Sequence, residues 1–169
     1  LLFNDWRKFG EIIVIKTKNV GSFFLQKNLG PEPLDEDFTF QIFSKILSKK
    51  RRSRIKPTLM NQRVIAGLGN IYAQEACFLS HILPDRKIES LTLEESRLLY
   101  DSIKLILVDA IKFNGTSFDT TYVTAKGVPG EFAQFLNVYG LKRCKTCKNY
   151  LKNIKLNSRS SYYCPKCQK

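Results

Sequence analysis

Four cysteines in two close pairs constrain this chain more than anything else in it: Cys144-x-x-Cys147 and, after sixteen residues, Cys164-Pro165-Lys166-Cys167. Each pair can turn two thiolates toward one ion, and two such pairs complete the tetrahedral shell that structural Zn²⁺ prefers. The competing arrangement, two disulfides, needs an oxidising compartment. The odd fifth cysteine, Cys77, and the absence of a recognisable signal segment weigh against it. A shell of four protein ligands leaves no open coordination position, so one zinc here is expected to hold a shape rather than activate water. The stretch from Tyr150 to Tyr163 suits a hairpin that returns the chain to the metal.

The second constraint is charge. With 28 Lys and Arg against 15 Asp and Glu, the formal charge is +13, a field that attracts polyanions. Its distribution is uneven: Lys49, Lys50, Arg51, Arg52, Arg54 and Lys56 cluster, and no acidic residue occurs from Leu141 to Lys169. Two phosphate-binding surfaces are expected, with nucleic acid as the first candidate partner. The longest greasy run, Ile103 to Ile111, is interrupted by Lys104 and Asp109, so no membrane span is expected. Met60 is the only methionine, so Leu1 is not an encoded start, and the chain is expected to be a fragment or a processed product.

Hydrophobic periodicity divides the rest. Residues 1–28 read as strands, with Glu11 to Ile15 and Val20 to Leu25 rich in β-formers. Leu29-Gly30-Pro31-Glu32-Pro33-Leu34 is a breaker-rich linker. From Asp35 to about Lys50 the spacing of Phe38, Ile42, Phe43, Ile46 and Leu47 predicts an amphipathic helix. A shorter helix is expected from about Pro57 to Arg63, then a Gly67-Leu68-Gly69 break, then a helix from Asn70 to Ser80. Thr92-x-x-Glu95 is a capping box opening a long helix with a broad apolar stripe. Asn114 to Gly130 is too long for an ordinary connection and is expected to be mobile or functional. The fold expected is mainly α, with a C-terminal zinc β-hairpin and terminal strands in front. The expected units are residues 1–28, 29–135 and 136–169.

Individual side chains add less. Arg159, between small polar residues at the expected hairpin tip, suits a phosphate contact or a groove. Asn70 heads a helix after a glycine turn, where free N–H groups attract anions. Cys77 lies on an apolar helix face and reads as core. His81 has no partner for a catalytic triad nearby in sequence.

In combination these residues resemble the bacterial formamidopyrimidine-DNA glycosylases, also called 8-oxoguanine DNA glycosylases. The likeness rests on Phe3-Asn4-Asp5-x-Arg7-Lys8-Phe9-Gly10, Leu29 to Leu34, Ile55-Lys56-Pro57-x-Leu59-Met60, Ala66 to Ala73, Pro84-Asp85-Arg86, Val138-Tyr139-Gly140 and Arg159 through Lys169. The resemblance implies a helix-two-turn-helix domain followed by a zinc finger, with residues 1–28 ending a β-sandwich. It implies a base-excision repair protein, a bifunctional glycosylase and AP lyase that removes oxidised purines from duplex DNA. It implies further that Arg7 and Phe9 fill the gap left by a flipped nucleotide. Lys56, Asn70, Tyr139 and Arg159 would grip phosphates around the lesion, with Arg51 at a further DNA-contact position.

The Arg159 position is also credited in the family with a role in the final elimination, although clamping phosphate suits a guanidinium better. The family's nucleophile, an N-terminal proline amine, has no counterpart in these residues, so binding without catalysis is expected of the chain alone. Leu83 stands where the family usually has histidine, and Lys148 replaces the usual glycine after the second cysteine. Damaged double-stranded DNA, a monomeric state and a bacterial cytoplasmic, nucleoid-associated location complete the implied picture. An endonuclease VIII-like enzyme acting on oxidised pyrimidines, or a zinc-ribbon module without catalysis, are the alternatives.

Overall fold

In the computed structural model, residues 10–118, 123–124 and 126–169 are described. The first of them depart from expectation. Residues 10–16 have no regular structure, and a 3-10 turn at Thr17–Asn19 leads into helix α1, Val20–Lys27, where a strand is expected. The reason is the demand each conformation makes on its surroundings. A strand satisfies its N–H and C=O groups only against a neighbouring strand, whereas a helix satisfies them locally. Among the described residues, the one sheet is the two-stranded hairpin near the C-terminus, which does not pair with this segment. Helix α1 buries no residue, and a left-handed Asn28 ends it.

Gly30 fixes the linker. A Cβ there would lie 2.4 Å from the Val64 carbonyl carbon, so only glycine lets the two backbones run this close. Gly30 N–H then donates to Gln62 O, and Ala66 N–H donates to Pro31 O. The expected helix from Asp35 starts later, as α2, Phe40–Ser48, because the Thr39 hydroxyl caps it by accepting from Ile42 N–H. Short turns at Asp35 and Phe38 occupy the intervening residues.

Helix α3 is Ile55–Leu59, earlier than the expected start at Pro57. Pro57 sits in its first turn, where its missing N–H has no helical partner to lose. The turn that follows is held chiefly by the Gln62 side chain, with the Asn61 amide oxygen accepting from Arg63 N–H. The Gln62 amide donates to Met60 O and Leu68 O and accepts from Gly67 N–H. Gly67 adopts φ +79°, the conformation glycine tolerates best. Helix α4, Asn70–Leu79, closes in a left-handed His81, with Ile82 N–H bonded to Cys77 O and His81 N–H to Phe78 O. Helix α5, Leu93–Lys112, opens on the expected capping box: Thr92 accepts from Glu95 N–H, and the Glu95 carboxylate accepts from Thr92 N–H.

The core lies between these helices. Phe38, Phe43, Ile55, Leu59, Ile65, Leu68, Ile82, Leu99 and Ile103 are fully or almost fully buried. Helix α4 turns Ala73, Ala76 and Cys77 toward α5, small side chains that let the two axes approach. Cys77 is therefore core, as expected. Tyr100 of α5 stacks on Phe38 and donates its hydroxyl to Phe38 O at 2.6 Å.

Strands β1, Lys152–Leu156, and β2, Arg159–Tyr163, pair antiparallel with Leu156 opposite Arg159. Asn157 and Ser158 between them both have positive φ, which matches the right-handed twist of a two-residue hairpin. Among the described residues, no helix is long and apolar enough to cross a membrane.

Candidate functional site

The four finger cysteines converge as the spacing requires. Their sulfurs all lie within 4.8 Å of one another, with Cys144 and Cys167 at 3.9 Å and Cys147 and Cys164 at 3.4 Å. A tetrahedron with Zn–S bonds of ~2.3 Å has edges of ~3.8 Å, so the donor set suits one zinc. Each pair is a tight knuckle: Lys148 N–H closes the first on Cys144 O, and Gln168 N–H closes the second on Cys164 O. The sulfurs differ in how readily they ionise. The Asn149 backbone N–H brings Cys147 down to about 7, while burial and the neighbouring sulfurs push Cys167 up to about 12. A dication is the counter-charge such a cluster lacks by itself.

The finger is seated on the helices by buried polar groups rather than by apolar area alone. Gln168 accepts from Cys164 N–H and donates to Ile82 O. Lys169 N–H donates to His81 O, Leu83 N–H to Lys169 O, and the His81 ring lies 3.1 Å from Cys167 O. His81 thus joins the seam between finger and helix. On α4, Gln74 accepts from Tyr162 N–H and donates to Asn70 O. The neighbouring Glu75 carboxylate, fully buried, accepts from the backbone N–H groups of Asn137, Val138 and Tyr139 and from the Asn137 side chain. Sequence reasoning missed Gln74 and Glu75. Their only trace is polarity on a helix face that is otherwise apolar.

Three of the expected contact residues meet in one place. Asn70 at the start of α4, Tyr139 on the approach to the finger and Arg159 at the start of β2 line an open cleft of about 490 Å³ with Gln62, Tyr72 and Thr116. Gly69 precedes α4 without any side-chain cap, so the first N–H groups of the helix have no capping side chain. The Tyr72 hydroxyl and Thr116 Oγ1 lie 3.0 Å apart, and Phe118 packs against the Tyr139 ring, which together pin the near end of the long loop to the cleft wall.

Lys56 stands apart from these three. It is expected to face phosphate, yet it is completely buried, and its ammonium donates to Asn70 Oδ1 at 2.8 Å, Ser160 O at 3.0 Å and Ser161 Oγ at 2.6 Å. Burial, opposed by Cys77 and reinforced by Arg159, lowers its pKa to about 8. Arg51 is exposed and lines a separate groove with Leu47, Glu89 and Ser96. Arg7 and Phe9 lie outside the described residues.

Fold and site together define a class: a helix-two-turn-helix domain with a four-cysteine zinc finger docked on its central helix. Comparison with known proteins agrees segment by segment. Residues 29–122 match the formamidopyrimidine-DNA glycosylase H2TH domain, and residues 142–169 match the zinc finger found in FPG and IleRS. The chain belongs to the formamidopyrimidine-DNA glycosylase family.

The formamidopyrimidine-DNA glycosylase of Lactococcus lactis is 42% identical over 170 residues, covering 99% of this chain and 61% of that protein. That of Listeria monocytogenes serotype 4b is 38% identical, covering 100% and 62%. Among solved structures, the Lactococcus lactis Fpg bound to DNA containing an abasic site superposes with a TM-score of 0.83 at 39% identity, over 92% of this chain and 57% of that one. A complex of an Fpg variant from the same organism with DNA containing Fapy-dG superposes with a TM-score of 0.83 at 38% identity, again over 92% and 57%. The chain therefore spans about three-fifths of the length of the curated relatives it matches.

Proposed function

We propose that this chain is the DNA-binding, C-terminal part of a bifunctional base-excision repair glycosylase and AP lyase acting on oxidised purines in duplex DNA. The observation that carries the reading is the cleft where Asn70, Tyr139 and Arg159 meet from three separate elements. An amide, a phenol, a guanidinium and the start of a helix together suit a phosphate at a distorted step of DNA. Excess positive charge supplies the longer-range attraction. Arg51 extends the contact away from the cleft, and Arg7 and Phe9 belong to the part that enters the duplex. The names of the relatives favour oxidised purines over the pyrimidine lesions of endonuclease VIII.

Residues 1–28, 29–135 and 136–169 form the working divisions of the piece, which acts as a monomer on bacterial cytoplasmic DNA. None of its own residues is assigned as the nucleophile. Arg159 acts by clamping phosphate, in the elimination step as well as in binding. The test is equilibrium binding to a duplex carrying an abasic-site analogue, beside the same duplex undamaged. Preference for the damaged duplex is expected, and equal affinity for both would remove the lesion-specific reading.

A further inference from the structure

Lys56 presents a contradiction between cost and benefit. Taking an ammonium wholly out of water costs several kcal/mol, and among the described residues no carboxylate is hydrogen-bonded to it. Its three protons are used by Asn70, Ser160 and Ser161, so it has none left to offer to a phosphate. What it gains is geometry, because its partners stand 14, 104 and 105 residues away and belong to α4 and β2. One side chain ties α3, the head of α4 and the finger hairpin to a single point.

The consequence for Asn70 is chemical. An asparagine amide has an accepting end and a donating end, and only the donating end attracts an anion. Lysine has donors and no acceptor, so the Asn70 Oδ1 turns toward Lys56 and the NH₂ turns away from it. The bond to Ser160 O acts on the residue adjoining Arg159, holding the start of β2 against α4. We infer that Lys56 is a positioning residue: it sets the amide of Asn70 with its donor end to the cleft and fixes the hairpin that carries Arg159, without touching DNA itself. This rests on the reading that the cleft takes a DNA phosphate.

The experiment uses the zinc-loaded chain and Lys56→Met, which keeps length and removes every donor. Without DNA, zinc content stays at one per chain, exchange protection of the Ser161 and Tyr162 amides falls about tenfold or more, and the Asn70 side-chain NH₂ resonances shift. With an abasic-site duplex, affinity falls about tenfold, and the loss shrinks to roughly twofold when Asn70 is already alanine. A direct phosphate contact would instead give the full loss in both backgrounds and flatten the salt slope by ~0.9 in each, which overturns the inference. Ser161→Ala removes one of the three acceptors, leaves those of Asn70 and Ser160 in place, and repeats the exchange test in milder form. If the parent chain does not bind duplex at all, the DNA-binding reading falls alone. The exchange data still decide for Lys56, and unchanged Ser161 protection together with unchanged Asn70 resonances would refute its positioning role.

Discussion

Glu75→Gln changes one atom in shape and removes a charge that organises the path into the finger. In the parent chain, one carboxylate oxygen accepts from Asn137 N–H at 2.7 Å and the Asn137 amide at 3.2 Å. The other accepts from Val138 N–H at 3.0 Å and Tyr139 N–H at 2.9 Å. A glutamine must place an NH₂ where one of those oxygens stood, so two donors then face a donor. Hydrogen bonds to a charged group contribute ~1.5–3 kcal/mol each, and a buried donor left without a partner costs a further ~1–3 kcal/mol. Partial relaxation of the segment offsets some of that, which leaves an expected destabilisation of ~3–5 kcal/mol, a large share of a typical domain's ~5–15 kcal/mol.

The loss is local before it is global, because Glu75 holds three consecutive residues and little else. Urea unfolding followed by circular dichroism gives the total, and hydrogen exchange at residues 137–139 gives the local part. These amides should lose protection first, and the Tyr139 ring should leave Phe118 and Tyr162, which it contacts in the parent. A Glu75→Gln chain within ~1 kcal/mol of the parent, with the three amides still protected, would refute the argument that this carboxylate holds the segment.

The buried Lys56, lowered to about 8 by desolvation, should report its burial in the pH dependence of stability. Its unfolded value lies near 10.5, so between about 8 and 10.5 the unfolded chain holds a proton that the folded chain does not. The penalty is therefore complete below pH 8 and relieved as pH rises through that window; parent stability relative to Lys56→Met should climb by up to ~3 kcal/mol, and a flat difference would contradict it.

Lys148 adopts φ +62°, so Lys148→Gly should relieve ~1–2 kcal/mol of left-handed strain, less ~0.5–1 for glycine's entropy. Zinc affinity measured by chelator competition should tighten about two- to fivefold, and a weaker site would speak against strain at this knuckle. Arg159→Ala should flatten the salt slope of DNA binding by ~0.9, whereas Asn70→Ala should weaken binding at constant slope, since an amide releases no counterion. Equal slopes for parent and Arg159→Ala would remove Arg159 from the phosphate. Zinc removal by chelator should release the hairpin and cost at least as much affinity as Arg159→Ala; undiminished binding by the metal-free chain would show that the finger is dispensable.

What the sequence made legible is what depends on short spacing. The cysteine pairs, the Thr92–Glu95 capping box and the Gly67–Gly69 break are each contained in a few residues, and each appears in the structure, whereas of the apolar stripe expected on α5, Leu99, Ile103, Ile106, Leu107 and Ala110 are buried and Leu98 and Ile111 are exposed. The strand expected at Val20 to Leu25 failed for the complementary reason. Its composition satisfies β-propensity, but propensity is weak without a partner strand; among the described residues the one sheet is the distant hairpin, and the segment is helical. The shifted starts of α2, later than expected, and of α3, earlier than expected, follow the same logic on a smaller scale, since the Thr39 cap in one case and the tolerance of Pro57 in a first turn in the other, rather than apolar spacing, decide where the helix begins.

Lys56 shows why part of the site could not be read. It closes a run of basic residues that reads as one solvated surface, yet Arg54 is exposed while Lys56, two positions on, is buried. Nothing within the run separates the two. The difference is made by Ser160 and Ser161 more than a hundred residues later, and these can reach Lys56 only once the hairpin is seated on α4. The same seating explains the polar residues at 70, 74 and 75, which read as interruptions in an apolar helix and serve as the seam for the finger. A polar side chain on the core-facing side of a helix must find partners or be lost, because an unpaired one costs more than a bond returns. In a chain that also carries a metal-nucleated hairpin, such residues therefore point to where the hairpin docks, even before the partner of any one of them can be named.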